Sequence, residues 1–403
     1  MKIAVVSGVF PGRSETFVVR HVLGLAQRGH DVTVISYGPA QGTIKEEINR
    51  IDSSGVKRLN LDFYYSSSKK KLSLLYFWRT ICHSPKMIRY LFPSFPWARH
   101  EMFWAHSVWK TIKQLRPDII HIHYGAKAGP ILHLDPTLKN VVVSWHGYDA
   151  NHTPYFRGKD MYMQLFGLPI EHTVGSSFMC SQLEELGAKT QHINIIPMGV
   201  DVNKFTYKER FIDYNAPLRI ISVGRLDEMK GHKFLVQAVN ELLVEGEKIE
   251  LRIIGFGPLQ EELESLIRET QPSSIYLLGP QLPEVIIAEL HKSDLFCLTG
   301  VKEATGRVET QGVVFAEAQA TGIPVIGSSV GGIGESLVHG QTGFLCSPGE
   351  IRDIKEAIRF FVKDREAVNQ FGRKGRRLVE SKFLEKNMLN SFESLYELTM
   401  SKQ

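Results

Sequence analysis

The 403-residue chain is short of several things. Its four cysteines, Cys82, Cys180, Cys297 and Cys346, are scattered without paired spacing. That argues against a disulfide framework or a cysteine zinc site and fits a reducing, cytoplasmic setting. No run of about 18 or more apolar residues occurs, so no membrane-spanning helix is expected. Charge of one sign is not in large excess. The formal net charge is +5, too weak on its own to argue for nucleic acid. Low-complexity tracts and short-period repeats are missing. The opening MKIAVVSGVFPGRSETF has a short apolar run that ends in Gly and Pro without a small-residue cleavage site. It therefore reads as a first β-strand rather than a secretory signal.

What is present is alternation. The chain is too long for one usual core, so two domains are the default expectation. Apolar strand candidates at 2–8, 31–37, 118–124, 140–147 and 172–178 alternate with helical patterns such as 15–29, which ends at Gly29. Continuous apolar strands of this kind are buried on both faces, as in a parallel sheet. A second series begins near 218 (LRIISVGR, ELRIIGFG, SIYLLG, DLFCLTG, IPVIGS), separated by helical patterns at 232–245 and 259–270. The order predicts α/β architecture with two Rossmann-like, doubly wound parallel-sheet domains. The expected boundaries are 1–199, a polar linker at 200–217, 218–382, and a helical C-terminal segment 383–403 for which a return to the first domain is one option. Such sheets bind ligands outside the carboxyl ends of their strands, and two facing domains would share a cleft.

Four constellations could carry chemistry. Arg225 and Lys230, in ISVGRLDEMKGHKFL, stand between a strand end and a helix that starts near Gly231. Two cations beside a helix N-terminus suit an anion such as a diphosphate, although two solvated surface cations would look the same. In RVETQGVVFAEAQATGIPVIGS, Glu309 and Glu317 have seven residues between them. Gly312 would let the chain pass close to a ligand, and the helix expected to follow would point free amides of Val313 and Val314 at it. Carboxylates there would accept bonds from sugar hydroxyls; the alternative is a helix-dipole acid and a solvated loop acid. His146, in HGYD at the end of a buried strand, would face the cleft unless it is a structural histidine. His121 and His123, two apart in a strand, share a face. Metal binding is conceivable, but no matching Cys or carboxylate ligand is evident, and structural or acceptor-site roles are favoured. GFGPLQ at 255–260 opens like a dinucleotide fingerprint, but Gln260 stands at the third glycine position and no acid ends the next strand, so the dinucleotide reading is weak.

Asp-x-Asp, a pair that often holds a nucleotide diphosphate through a divalent metal, occurs nowhere in the chain. With these residues in view, the sequence resembles the retaining glycosyltransferases of family 4, which have the two-domain GT-B fold. FPGRSETFVVRHVLGLAQRGHDVTVIS is similar to the N-terminal signature of the exopolysaccharide branch, and HGYD, GVDVNKF, VGRLDEMKGH, IIGFGPL and the Glu309–Glu317 block follow in family order. The resemblance implies a nucleotide-sugar donor (UDP-sugar favoured, GDP-mannose the alternative), a glycan or lipid-linked saccharide acceptor, retention at the anomeric carbon, and neither metal nor cofactor. It implies that Arg225 and Lys230 grip the diphosphate, Glu309 holds the transferred sugar and Glu317 the ribose. It further implies that the amides near Gly312, Val313 and Val314 cradle sugar and phosphate, that Gly8 and Gly257 belong to the donor site, and that His146 touches the sugar or reaction centre. The chain departs from the family at Ser7-Gly8, where relatives pair glycines, and at Thr310-Gln311, which would then help select the sugar. A sugar-nucleotide epimerase on the same fold is the rival reading.

Residues 69–110 hold eight cations, Lys69, Lys70, Lys71, Lys86 and Lys110 with Arg79, Arg89 and Arg99, against the single acid Glu101, and are rich in aromatics. They suit an anionic bilayer surface, where a lipid-linked acceptor would lie. They suit equally a helical excursion whose aromatics are core.

Overall fold

The computed structural model describes residues 1–12, 15–38, 45–61, 99–270 and 274–402. The chain divides into two compact units. Unit 1 comprises Met1–Val174, Cys180–Ile196 and Leu389–Gln403; unit 2 comprises Gly175–Met179 and Pro197–Met388.

Unit 1 is built on a seven-stranded sheet in the order β3-β2-β1-β4-β5-β6-β7. Its strands are β1 (Lys2–Val6), β2 (Asp31–Ser36), β3 (Lys57–Asn60), β4 (Ile119–His123), β5 (Val141–Ser144), β6 (Glu171–Val174) and β7 (Ile193–Ile195). Every pairing is parallel. Interior strands β1 and β5 are largely apolar because both faces are covered, as Ile3–Val6 and Val141–Val143 show, whereas β4 buries His121 and His123 and β6 buries Glu171, His172 and Thr173. Helix Thr16–Gln27 buries Val18, Val19, Val22 and Leu25 on this sheet. It ends where Gly29 takes φ +86°. There the N–H groups of Gly29 and His30 bond the carbonyls of Ala26 and Leu25, a glycine-terminated cap that a Cβ would disfavour. Residues 389–401 of helix Glu385–Ser401 also belong to this unit. Leu389 packs on Gly24, where a Cβ would lie 2.5 Å from its Cδ1. Glu393 pairs with Arg28 and, at 2.8 Å, with His30.

Unit 2 holds a six-stranded parallel sheet in the order β10-β9-β8-β11-β12-β13. The strands are β8 (Leu218–Val223), β9 (Ile249–Ile254), β10 (Ile275–Leu277), β11 (Leu295–Leu298), β12 (Val325–Ser328) and β13 (Gly343–Cys346). Apolar clusters fill both faces: Leu235, Val239, Ile358 and Phe361 in one, Phe296, Phe315, Ile323 and Phe383 in the other. The stretch 200–217, read above as linker, packs within this unit. Arg210 is buried there and donates to the carbonyls of Ser293 and Leu290 at 2.8 and 3.1 Å.

Some expectations need adjusting. The strand candidate 172–178 ends at Val174, because helix Ser177–Glu185 takes over after Gly175. Strands β3, β7 and β13 were not anticipated. Residues 69–98 of the basic, aromatic stretch lie outside the described residues. Residues 99–110 belong to helix Arg99–Leu115, in which Met102, Trp104, Ala105 and Val108 are core. Among the described residues no helix is long and apolar enough to cross a membrane.

Candidate active site

In unit 2 the strand order reverses between β8 and β11, and the loops after these strands carry most of the charged candidates. Such a switch point leaves a crevice at the carboxyl ends of the strands. Gly224 and Arg225 follow β8. Gly231 turns the loop at φ +66°, and a Cβ there would sit 1.9 Å from the carbonyl oxygen of Thr299, just past β11. Only glycine allows that approach. The turn delivers Lys230 to Glu309, and the two form an ion pair in which the side chains are 17% and 15% exposed. Oε1 of Glu309 also accepts from the N–H groups of Gly312 and Thr310, each at 3.2 Å. Burial pushes the Glu309 carboxyl up, but Lys230 and the two amides outweigh it and hold it below the ordinary value.

Gly312, at φ +72°, caps helix Val313–Ala320. The first amides of that helix have no acceptor within it. Glu317 lies half-buried one turn along from Val313. Arg225 is half exposed and donates Nε and a terminal N–H to Oδ2 of Asp227 at 2.9 and 2.7 Å. Arg307 reaches the same oxygen at 2.8 Å and Glu303 at 3.2 Å. Cations, free amides and a sheltered carboxylate on one sheet edge suit a ligand that is anionic at one end and hydroxylated at the other.

In unit 1 the order reverses between β1 and β4. A cavity of about 450 Å³ opens at the carboxyl ends and is lined by Gly8, Glu15, Tyr37, Tyr124, Lys127 and Asp149, among others. Exposed rings of Tyr148 and Phe156 stand on its rim. Burial raises the Glu15 carboxyl, against a hydrogen bond from Tyr124 and the charge of Lys127; its Oε2 has no partner among the described residues. Asp149 is fully buried and accepts from Gly125 N at 2.7 Å and His146 N at 3.1 Å. It ties the end of β5 to the start of helix Gly125–Leu134. Burial lifts its carboxyl to about 6 despite those bonds. The His146 ring lies tilted against Phe17 at 4.5 Å and edge-on to Tyr124 at 4.8 Å, and burial pushes its imidazole down to about 3.

Two family models match the chain: Glycosyltransferase Family 4 over residues 14–204 and Glycosyl transferases group 1 over residues 204–378. The chain belongs to glycosyltransferase family 4. This glycosyltransferase is 29% identical to the amylovoran biosynthesis glycosyltransferase AmsK of Erwinia amylovora, over 88% of the chain and 89% of the relative. It is 28% identical to the putative colanic acid biosynthesis glycosyltransferase WcaL of Escherichia coli, over 70% and 71%. In fold it is similar to Anabaena HepE, solved with UDP and glucose, at TM-score 0.73 and 15% identity over 98% of this chain and 99% of that one. A glycosyltransferase from Rickettsia africae matches at TM-score 0.73 and 18% identity, over 100% and 99%. The fold class is therefore GT-B, with two Rossmann-like units.

Of the residues singled out from the sequence, unit 2 gathers Arg225, Lys230, Glu309, Gly312, Val313 and Val314 around one sheet edge. Gly257 belongs to the same edge for a packing reason, since a Cβ there would lie 2.4 Å from the carbonyl of Leu226. Gly8 and His146 are in unit 1. A Cβ at Gly8 would make an ordinary contact, 3.5 Å from Lys127 Cε. Gln311, from the stretch expected to help select the sugar, is buried, and its amide accepts from Met198 N at 2.8 Å and donates to Met198 O at 3.0 Å. Asp227, Arg307, Glu15 and Lys127 were missed. Asp227 and Arg307 gave no local signal, because 80 residues separate the partners.

Proposed function

We propose that this glycosyltransferase moves a sugar from a nucleotide-sugar donor to a saccharide or lipid-linked acceptor during assembly of a cell-surface polysaccharide, with retention and without a metal. The observation that carries the reading is the Lys230–Glu309 pair beside the Gly312-capped helix. When a donor arrives, its diphosphate competes for Lys230 and draws on Arg225. Glu309 is then released to accept hydrogen bonds from sugar hydroxyls, while the amides of Val313 and Val314 meet the oxygens between. Glu317 is assigned to the ribose, Gly8 to the diphosphate and His146 to the sugar. No carboxylate is assigned as a nucleophile. The C–O bond to the diphosphate breaks, the acceptor oxygen bonds the anomeric carbon from the same face, and the departing diphosphate takes the acceptor's proton. Catalysis then rests on positioning and on stabilising leaving-group charge.

The relative AmsK is an amylovoran biosynthesis glycosyltransferase and WcaL a putative colanic acid one. HepE, solved with UDP and glucose, supports a UDP-sugar donor, and a GDP-mannose-dependent mannosyltransferase of Mycobacterium tuberculosis, 24% identical over 66% of this chain, keeps GDP-mannose as the alternative. None of them is an epimerase, so transfer is preferred to epimerisation. The acceptor is assigned to the unit 1 cavity, whose aromatic rims and buried charges suit a saccharide. The stretch 69–110 is assigned to an anionic membrane surface that presents it. A thermal-shift screen with UDP-, GDP- and ADP-sugars tests the reading. A UDP-sugar should raise the melting temperature of the wild type and do so less in Arg225→Ala. A flat response to all donors would overturn it.

A further inference from the structure

Four histidines of unit 1 form one hydrogen-bonded chain with three hydroxyls. Thr173 Oγ1 and Ser144 Oγ are 2.5 Å apart, and Ser144 Oγ is 2.7 Å from His121 Nε2. His121 Nδ1 meets the Tyr396 hydroxyl at 2.5 Å, which meets His21 Nε2 at 3.0 Å. His21 Nδ1 lies 3.3 Å from His123 Nε2, and His123 Nδ1 lies 2.9 Å from His146 Nε2. All of these residues are buried except His146, the half-buried outer end. Burial and mutual repulsion hold the four imidazoles neutral near pH 7.

A neutral imidazole has one N–H and one lone pair, and a hydroxyl has one proton. A hydroxyl that accepts from both neighbours strands its own proton, since it has no other acceptor among the described residues; with each hydroxyl accepting once and donating once, two arrangements remain. In the first, all four histidines carry the proton on Nε2, Ser144 donates to Thr173, and the buried Thr173 proton has no acceptor among the described residues. In the second, Thr173 donates to Ser144, Ser144 to His121, His121 Nδ1–H to Tyr396, Tyr396 to His21, His21 Nδ1–H to His123, and His123 Nδ1–H to His146. Every proton inside the chain is used, and His146 is left with N–H on Nδ1. Stranding a buried donor disfavours the first by at least about fivefold.

We propose that this chain locks His146 in the Nδ1–H tautomer, so that it offers a ligand a hydrogen-bond donor rather than a base. His21, His121, His123 and Tyr396 are then positioning residues. The proposal rests on the assignment of His146 to the transfer site, but its test does not. Histidine ¹⁵N NMR of the ligand-free full chain at pH 7.5 should show pyrrole-type Nδ1 for all four rings, with couplings across the His21–His123 and His123–His146 bonds. In Tyr396→Phe, His21 loses the donor that fixes its direction, and the Nε2–H form of His146 should rise severalfold. A charged or Nε2–H His146 in the wild type overturns the proposal whether or not the variant folds. An unchanged tautomer ratio in folded Tyr396→Phe overturns the role of the chain. Nitrogens of His21, His121 and His123 lie within 4.8 Å of one another; one equivalent of Zn²⁺ that shifts all three rings and survives dialysis would overturn it in favour of a metal site. Turnover of His146→Ala tests the site assignment separately.

Discussion

Mild acid should unfold unit 1. Five of its histidines, His21, His121, His123, His146 and His172, are held neutral with their imidazoles pushed well down, in every case chiefly by burial. In the unfolded chain each titrates near 6.5. Below that value the unfolded state binds protons that the folded state refuses, so stability is complete above about pH 6.5 and is lost as pH falls toward the depressed folded values. Between pH 7.5 and 5.5 each such group costs about 1.4 kcal/mol, or about 7 kcal/mol for five as an upper limit. Asp149 works the other way. Its carboxyl is raised to about 6, so the folded state takes up a proton first and regains about 1 kcal/mol over the same interval. The remaining loss, about 6 kcal/mol, is comparable to the whole stability of an ordinary domain.

At roughly 2–4 °C per kcal/mol for a unit of this size, the melting temperature should drop on the order of 15 °C. All five tryptophans lie between residues 78 and 145, so tryptophan emission reports on unit 1. Melts followed this way at half-unit pH steps give the curve directly. His172→Gln, which removes one of the five, should flatten it by about a fifth. A melting temperature at pH 5.5 within about 3 °C of that at pH 7.5 would refute the argument, as would a decline that starts only below pH 4.

Glu309→Gln removes the charge that occupies Lys230 and should tighten UDP about fivefold, the worth of a sheltered ion pair of about 1 kcal/mol, while sugar transfer falls strongly; titration calorimetry with UDP and a turnover assay check the two halves. Gly231→Ala forces a Cβ to within 1.9 Å of the Thr299 carbonyl at φ +66°; a loss of roughly 2–3 kcal/mol should be visible as an earlier urea midpoint by circular dichroism. Lys230→Ala leaves Glu309 with only its two backbone donors and should cost about 3 kcal/mol, so a loss of turnover in this variant is read at a temperature where it is still folded.

What the sequence made legible follows from how each feature is encoded. Interior strands such as β1 and β5 are nearly continuous apolar runs because both faces are covered, and such runs can be seen without partners. Strand β3 reads KRLN, with most of its residues exposed, and β7 is the three-residue INI. Edge strands are held by a neighbour's hydrogen bonds rather than by their own pattern. The unit 2 site was readable for a related reason. Glycines and charges placed right after apolar runs mark strand ends, so Gly224, Arg225, Lys230 and Gly312 announced themselves one by one. Their pairing did not: nothing near Lys230 points to Glu309, and nothing near Arg225 points to Arg307.

The histidines carry this limit furthest. From the strand alone, His121 and His123 share a face, and the rings do stack at 4.7 Å. That juxtaposition left metal ligation and a structural role both open. What bears on the choice is Tyr396, which is 275 residues from His121 and belongs to the C-terminal helix that packs into the same unit. Its hydroxyl sits between two imidazole nitrogens, accepting from one and donating to the other. That role needs neutral rings with ordered tautomers, and a divalent ion would have to break it, along with the Ser144 and His146 bonds. A local pattern can therefore put the chemistry-bearing residues on one face. Their protonation, and with it their chemistry, is set by a partner from the far end of the chain.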